Sequence, residues 1–428
     1  MIKKPFFGWG SPRLKYPAIG GGEKEPVTEI PLPQKASILI DYPFEKITEM
    51  FLKKGDRVKT GQRIRLSEGG NDYFISTVTG TVEDISIYTG YMGRTYSAIH
   101  IEGVTEDQWD PTLSNAGDRL STEICLKFFR RLPGIIDLER LVDPVVPLDA
   151  IVIKGIDEDL LVKTNQLVLL NNPEGLTKGV RYLKELTKAK RMIITVPPGL
   201  SSDAGNMDAD VIKVKPVYPQ ALPKMIMKNV FKRTVPAGMT CEDMGVAFIN
   251  AEAVVALADA IDNGVMPVDK NFTLIDKDGK SMNIRARIGT SFKDVFERLN
   301  IKTEHGDSII LGGPMRGRSV YMEDMPVNYN TDAIIIQHKD DITENVDIPC
   351  INCGECVRAC PAGIQVNMLV RLLENGLYDE AAREYDLMSC IECGLCTYVC
   401  TARIPVFHYI MLGKAELAKQ KSREVSNG

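Results

Sequence analysis

The sequence has no apolar run of the roughly 18–20 residues that a membrane-crossing helix requires. Its nearest approach, VAFINAEAVVALADAI (246–261), is interrupted by Asn250, Glu252 and Asp259. This pattern predicts a packed amphipathic helix over 246–262, stopped at Asn263-Gly264. Charge of one sign is not in excess. Fifty-two Lys and Arg against 57 Asp and Glu leave a net charge of −5, which supplies no basic face for a nucleic acid, so no nucleic-acid partner is expected. The opening MIKKPFFGWGSPRLKYP lacks the apolar stretch and small-residue cleavage site of a secretory signal. If the protein works at a membrane, partners must hold it there. Histidine is scarce. His100, His305, His338 and His408 are scattered, and none is predicted to be a ligand; His408, eight residues beyond the last cysteine of a run, reads as a helix-face residue.

What is present divides the chain into four segments. A length of 428 residues exceeds one compact core. The overall fold class is multidomain α+β. Residues 1–115 combine an irregular Gly/Pro arm (Gly20-Gly21-Gly22, then PLP at 31–33) with short alternating strands over 36–102. The GDRVKTGQ turn (55–62) and the STVTGTV hairpin resemble the barrel-sandwich fold of lipoyl domains. The tip, Val78-Thr79-Gly80, carries no attachment lysine and reads as a docking scaffold. Residues 116–265 alternate buried β-branched runs, LDAIVIKGI (148–156) and KRMIITVPP (190–198), with helical stretches such as 176–190, which predicts an α/β domain with parallel strands. Residues 266–335 read strand–turn–strand–helix–strand, a β-grasp, with Ser291 and Asp294 as a helix cap. Residues 336–428 are helical apart from the cysteine loops. A helix pair over 366–388 is broken at Asn375-Gly376, and a last helix follows.

Eight of the ten cysteines form two C-x2-C-x2-C-x3-C runs, Cys350, Cys353, Cys356, Cys360 and Cys390, Cys393, Cys396, Cys400. Without an export signal, metal binding in a reducing compartment is the better reading than disulfides. Cys125 and Cys241 read as buried free thiols. Soft thiolates in this spacing suit iron–sulfur clusters, whereas zinc sites pair two C-x2-C units. In two-cluster ferredoxins the fourth cysteine of each run serves the other cluster. The expected ligands are therefore Cys350, Cys353, Cys356 and Cys400 for one [4Fe-4S] cluster, and Cys390, Cys393, Cys396 and Cys360 for the second. No catalytic residue is predicted. The helix pair between the runs favours a helical ferredoxin-like domain. Pro361 after Cys360, against Thr401 after Cys400, predicts different hydrogen bonding beside the two clusters.

With these residues together, the chain resembles the RnfC family, the C subunits of Rnf electron-transport complexes. The resemblance rests on the Gly-Gly arm before PLP, GDRVKTGQ, YPQ (218–220), VPAGMTCEDMGVAFINAEAVVALADAI (235–261), LGGPMRG (311–317) and the cysteine runs, in that order. It implies a peripheral subunit of a membrane complex that couples ferredoxin-linked electron flow to Na+ or H+ transport. It also implies an α/β domain similar to the flavoprotein subunit of respiratory complex I, with a flavin and NADH site.

The sequence departs from the family at that site. RRLPGIIDLERLV (130–142) stands where the family has a glycine-rich loop, and IKGIDEDLLV (153–162) where it has an acidic Cys/Pro-containing stretch. YPQALPK replaces YPQGGEK. Apart from Gly134, the glycines that would let a backbone approach phosphate are missing, so neither FMN nor NAD is expected. Arg130 and Arg131 read as solvated or helix-end charges, and the GGP turn (312–314) as structural. The expected function is electron transfer through two clusters at the cytoplasmic face of the cell membrane, between other subunits and a soluble carrier such as ferredoxin. The basic stretches KELTKAKR (184–191) and KNVFKR (228–233) read mainly as solvated helix faces. The alternative is an FMN-containing NADH:acceptor oxidoreductase subunit, NADH-linked or cobalamin-reductase-like.

Overall fold

A computed structural model of the chain describes residues 12–17, 25–41, 50–66, 73–103, 105–134, 137–200, 208–320, 322–342 and 348–427; the glycine arm at 20–22 lies outside them. The chain forms two compact units. One comprises Pro17–Pro216 and Cys241–Asp341. The other is discontinuous and gathers Met1–Tyr16, Val217–Thr240 and Ile342–Gly428. The sequence pattern predicts four consecutive segments. The grouping of 217–240 with the cysteine region depends on side chains far apart in sequence, described below.

In the larger unit, β1 (Val27–Glu29) is followed by β2 (Lys35–Ile40), β3 (Arg57–Val58), β4 (Arg63–Arg65), β5 (Tyr73–Ile75), β6 (Gly80–Thr89) and β7 (Thr95–Glu102). An antiparallel sheet runs in the order β2-β7-β6-β3, and β4 pairs with β5. The two-residue side-chain period turns Ala36, Ile38 and Ile40 into a core with Val82, Ile99 and Ile101. The hairpin tip faces inward. Val78 is fully buried, the Thr77 hydroxyl donates to Ile288 O at 2.5 Å, and Arg287 Nη1 donates to Thr77 O at 2.8 Å.

Four strands, β8 (Ala150–Lys154), β9 (Arg191–Val196), β10 (Asp210–Lys213) and β11 (Val246–Asn250), form a parallel sheet in the order β10-β9-β8-β11. The first four helices are α1 (Thr122–Phe128), α2 (Leu138–Val142), α3 (Thr164–Asn171) and α4 (Pro173–Thr187); α5 (Pro223–Asn229) belongs to the smaller unit, and α6 (Ala251–Asn263) follows β11. α4 buries Leu176, Val180, Leu183 and Leu186, one face at helical spacing. The helix expected over 246–262 is corrected. Residues 246–250 are a strand paired in register with 150–154, and the helix begins at Ala251. An unbroken apolar run reads alike as a buried strand or a buried helix, so periodicity could not place that boundary. The Gly264 stop holds.

The remaining sheet, in the order β1-β13-β12-β16-β14-β15, is built from β12 (Asp269–Ile275), β13 (Ser281–Arg287), β14 (Ser308–Leu311), β15 (Arg318–Val320) and β16 (Ala333–Gln337), with β1 as an edge strand. Helix α7 (Phe292–Arg298) packs Phe292, Val295 and Phe296 into the core with Leu274 and Ile284. Ser291 Oγ caps it by accepting from Asp294 N at 3.0 Å.

The smaller unit contains α8 (Glu355–Ala359), α9 (Val366–Glu374), α10 (Tyr378–Glu384), α11 (Leu395–Tyr398) and α12 (Val406–Asn427). Leu369, Leu373, Leu387 and Ile410 form its core. The break at Asn375-Gly376 separates α9 from α10 as expected. Among the described residues no helix is long and apolar enough to cross a membrane.

Candidate metal centre

The two cysteine runs are the same loop built twice, forty residues apart. Asn352 and Glu392 share a left-handed backbone (φ 54° and 60°), as do Gly354 and Gly394 (74° and 69°) and Gly363 and Arg403 (71° and 57°). Glycine at 354 and 394 meets this conformation without a Cβ penalty, and each starts a short helix, α8 or α11. The loop turns the first three thiols of each run toward one point, and the fourth cysteine lies beyond the helix.

Cys350, Cys353, Cys356 and Cys400 line one small cavity, together with Gly354, Thr401 and Val406. Cys400 therefore sits with the first run. Cys360 sits with the second run: Cys390, Cys393 and Cys396 all feel its charge. Burial raises the Cys356 thiol to about 11 and Cys393 to about 12, with neighbouring thiols adding to the effect; Cys396 is pushed higher by the same causes. Four thiols packed this way need a positive centre to ionise together. Among the described residues, no three His, Cys, Asp or Glu side chains could hold a single metal ion. The donor set, four soft sulfurs per group and no histidine, fits iron–sulfur clusters.

The groups differ in exposure. Cys390, Cys393 and Cys396 are 7–9% exposed, while Cys350, Cys353, Cys356 and Cys400 are only partly buried. Backbone N–H groups reach sulfur at Cys390 (from Glu392, 3.4 Å) and Cys400 (from Ile404, 3.3 Å). The Pro361/Thr401 difference has a concrete consequence. The Thr401 hydroxyl lies 3.4 Å from Cys353 Sγ, so it bears on the first run's thiol rather than on its own neighbour.

Two supports were not foreseen from sequence. Tyr218 donates its hydroxyl to Cys393 O at 2.6 Å from a buried position. Its ring lies 5.5 Å from Tyr16, and Tyr16 Oη accepts from Ala221 N at 3.2 Å, which ties the terminal arm, the YPQ segment and the second loop together. Lys414 on α12 is mostly buried and donates to Cys390 O at 3.0 Å and to Glu392 at 2.7 Å. YPQ stood out in the sequence only as part of a family pattern, and Lys414 only as one cation of a polar helix. Neither spacing reports a contact so distant in the chain.

The other candidates have structural partners. His100 bonds Ser37 Oγ (2.9 Å) and Ser86 Oγ (2.8 Å) through its two ring nitrogens, and His408 stacks edge-on to Phe407. Cys125 and Cys241 are buried and form no disulfide.

The region expected to correspond to a flavin site is packed with the chain's own polar groups. The Asp157 carboxylate caps α3, accepting from Asn165 N at 2.9 Å and Gln166 N at 3.4 Å; burial still holds it up at about 6. Burial pushes Glu158 up, but Lys154 (2.6 Å) and Arg316 (2.5 Å) more than offset this and bring it down to about 2. Asp159 accepts from Met315 N (3.1 Å) and Arg316 N (2.8 Å), and a Cβ on Gly313 would come within 2.5 Å of it, so the GGP turn closes over a carboxylate. At the first turn of α6, Glu252 forms a buried ion pair with Lys270 and accepts from Asn271 N at 2.7 Å and Nδ2 at 3.0 Å. Asn165 Oδ1 takes Ala251 N at 3.0 Å, and a Cβ on Gly134 would lie 3.0 Å from Ala253 N.

Residues 349–404 match the family described as 4Fe-4S dicluster domain. The chain is 29% identical over 426 residues to the C subunit of the "Proton-translocating ferredoxin:NAD(+) oxidoreductase complex" of Clostridium ljungdahlii, covering 94% of this chain and 92% of that protein. It is 24% identical to the "Na(+)-translocating" counterpart of Acetobacterium woodii (85% and 84% covered) and 25% identical to the C subunit of the "Ion-translocating oxidoreductase complex" of Methanosarcina acetivorans (92% and 94% covered). A chain of a solved NAD+-reducing [NiFe]-hydrogenase aligns at a TM-score of 0.46 and 12% identity over 69% of this chain and 66% of its own, too low to carry an argument. Through both cysteine runs and over most of its length, the chain is a homologue of the RnfC proteins of ion-translocating ferredoxin:NAD(+) oxidoreductase complexes.

Proposed function

We propose that this chain is the electron-relay subunit of an Rnf-like membrane complex, carrying electrons between a soluble carrier such as ferredoxin and the other subunits, with Na+ or H+ translocation performed elsewhere in the complex. The observation that carries this reading is the gathering of Cys400 with the first run and the pairing of Cys360 with the second. Cys350, Cys353, Cys356 and Cys400 would hold one [4Fe-4S] cluster, and Cys390, Cys393, Cys396 and Cys360 the other; these clusters would supply one-electron transfer. Tyr218 and Lys414 fix the second loop, and the partly open first group would face the exchange partner. Attachment at the cytoplasmic face of the membrane is through partner subunits. The small antiparallel unit is a barrel-sandwich scaffold, the six-stranded sheet contains a β-grasp, and the parallel sheet is a nucleotide-binding fold whose site is closed.

The closure supports a relay without FMN or NAD. Ligands of open α/β sheets sit beyond the carboxyl ends of the strands, with phosphate at a helix N-terminus. Here Glu252 and Asn165 occupy the start of α6, and a phosphate there would meet a buried carboxylate. The relatives' printed names include NAD(+), which keeps a second reading in view: an FMN-dependent NADH-oxidising subunit. Iron, acid-labile sulfide and flavin are measured per chain after anaerobic purification, followed by addition of NADH or reduced ferredoxin. The relay predicts about eight iron and eight sulfide, no flavin, and cluster reduction by ferredoxin alone. Stoichiometric flavin with NADH bleaching would establish the second reading, and absence of labile sulfide would refute both.

A further inference from the structure

We propose that Lys414, besides holding the second loop, raises the reduction potential of the cluster on Cys390, Cys393, Cys396 and Cys360 through its charge, a positioning and tuning role that rests on the cluster assignment proposed above.

The two runs provide an internal comparison. Asn352 and Glu392 occupy the same loop position, two residues after the first cysteine, with the same left-handed backbone (φ 54° and 60°). In the first run this position is neutral: Asn352 Oδ1 accepts from Asn367 Nδ2 on α9 at 2.8 Å. In the second it is charged. Glu392 accepts from Lys414 Nζ on α12 at 2.7 Å, and the same ammonium donates to Cys390 O at 3.0 Å. The first run does have a cation, Arg358, which donates to Cys353 O at 3.0 Å and to Glu355 at 2.6 Å. Exposure separates the two. The Arg358 side chain is 59% exposed, so water and salt screen its charge, whereas that of Lys414 is 13% exposed.

The Glu392 carboxylate does not cancel this charge. At Cys390 the influence of the Lys414 ammonium outweighs that of the carboxylate. Adding an electron makes an iron–sulfur cluster more negative, so a screened-off cation on a ligand's carbonyl favours the reduced form. Burial acts in the opposite sense. Cys390, Cys393 and Cys396 are 7–9% exposed, and desolvation disfavours further negative charge among them. Lys414 offsets that penalty, which makes the buried second group a better electron acceptor than its burial alone would allow.

The test is a redox titration of the anaerobically purified full chain, followed by electron paramagnetic resonance, with iron counted and thermal melting recorded for each variant. K414M should lower the second cluster's midpoint by about tenfold in the reduction equilibrium, about 59 mV for one electron, and leave the first unmoved. K414R, which keeps the charge, should stay within about threefold of the unsubstituted chain. E392Q, which removes the opposing carboxylate, should move the same midpoint upward. Opposite signs in K414M and E392Q separate a charge effect from mere loosening of the loop, which would shift both the same way. Repeating the titration in C400S, which takes a ligand from the first group only, assigns the midpoint. A second midpoint indifferent to K414M, or lowered equally by K414R and K414M, would overturn the proposal. Should K414M lose iron, E392Q decides alone, and an unmoved or lowered second midpoint overturns it. Failure of the cluster assignment itself would show differently, as absence of iron and labile sulfide in the unsubstituted chain.

Discussion

The cross-over of the fourth cysteines makes a prediction that counting iron can decide. Each four-thiol group is drawn from both runs, so a substitution in one run should disable a cluster seated mainly in the other. C400S should remove the first cluster and C360S the second, each lowering iron from about eight to about four per chain. The double variants discriminate. C353S/C400S removes two ligands of one group and should still retain about four iron, no worse than either single variant. C353S/C360S removes one ligand from each group and should retain almost none. If each run instead bound its own cluster, the two doubles would exchange places. Exposure provides a second readout. The cluster left in C400S has three of its four thiols 7–9% exposed, Cys360 alone being partly buried, and should yield its iron slowly to a chelator; the one left in C360S sits among four partly buried thiols and should yield it faster. Iron assay and timed chelation after anaerobic purification measure both. An iron-free C353S/C400S beside a half-loaded C353S/C360S would refute the assignment.

Three further predictions follow from single contacts. K270M leaves the buried Glu252 carboxylate with only the two Asn271 donors and should cost about 3–5 kcal/mol in urea unfolding, part of it recovered in E252Q/K270M; no loss in the single variant would contradict the pair's role. T401V removes the hydroxyl beside Cys353 Sγ and should lower the first cluster's reduction potential by about 20–60 mV in a titration followed by electron paramagnetic resonance, because a donor at sulfur favours the more negative reduced state; a shift in the second cluster alone would refute it. Burial holds the Asp159 carboxyl at about 6 against 3.8 unfolded, so its contribution to stability is fully present below pH ~4 and is lost as pH rises through about 6, up to about 3 kcal/mol. D159N should flatten that stretch of the stability profile, and an unchanged slope would count against the raised value.

The legible parts of the chain were those with a local signature. The cysteine spacing marked the two thiol groups, the strand–turn–strand pattern and Ser291 cap framed the β12–β13–α7 segment, and β-branched runs placed β8 and β9. The start of α6 was missed because Val246–Asn250 is almost uniformly apolar, and a strand buried beside β8 requires the same residues as a buried helix. The support of the second loop was illegible for a different reason. Tyr218 reaches Cys393 across 175 residues, and nothing in YPQ announces a distant carbonyl as its partner. The acidic triplet at 157–159 stood out in the sequence only as the acidic part of a family stretch whose Cys and Pro are absent; its roles as an α3 cap, an ion-pair centre and an anchor for the GGP turn exist only once β14 and α3 are placed.

These carboxylates connect the fold to the proposed function. In an open parallel sheet the strand ends present unpaired backbone donors, which is why phosphates collect there. In this chain the residues after β8 and β11 supply the anions themselves: Asp157 to α3, Glu252 to Lys270 and Asn271 on β12, Asp159 to the turn at 315–316. The compensating cations, Lys154, Lys270 and Arg316, are drawn inward with them. Displacing the Glu252 carboxylate would leave Lys270 without its closest partner, at a cost of several kcal/mol. The cysteine loops carry no such dependence, since their geometry is fixed by their own left-handed residues, Tyr218 and Lys414. Internal anions can therefore fill the strand ends while the thiol groups keep their form, so the state of the strand ends and the integrity of the clusters can be varied independently of each other.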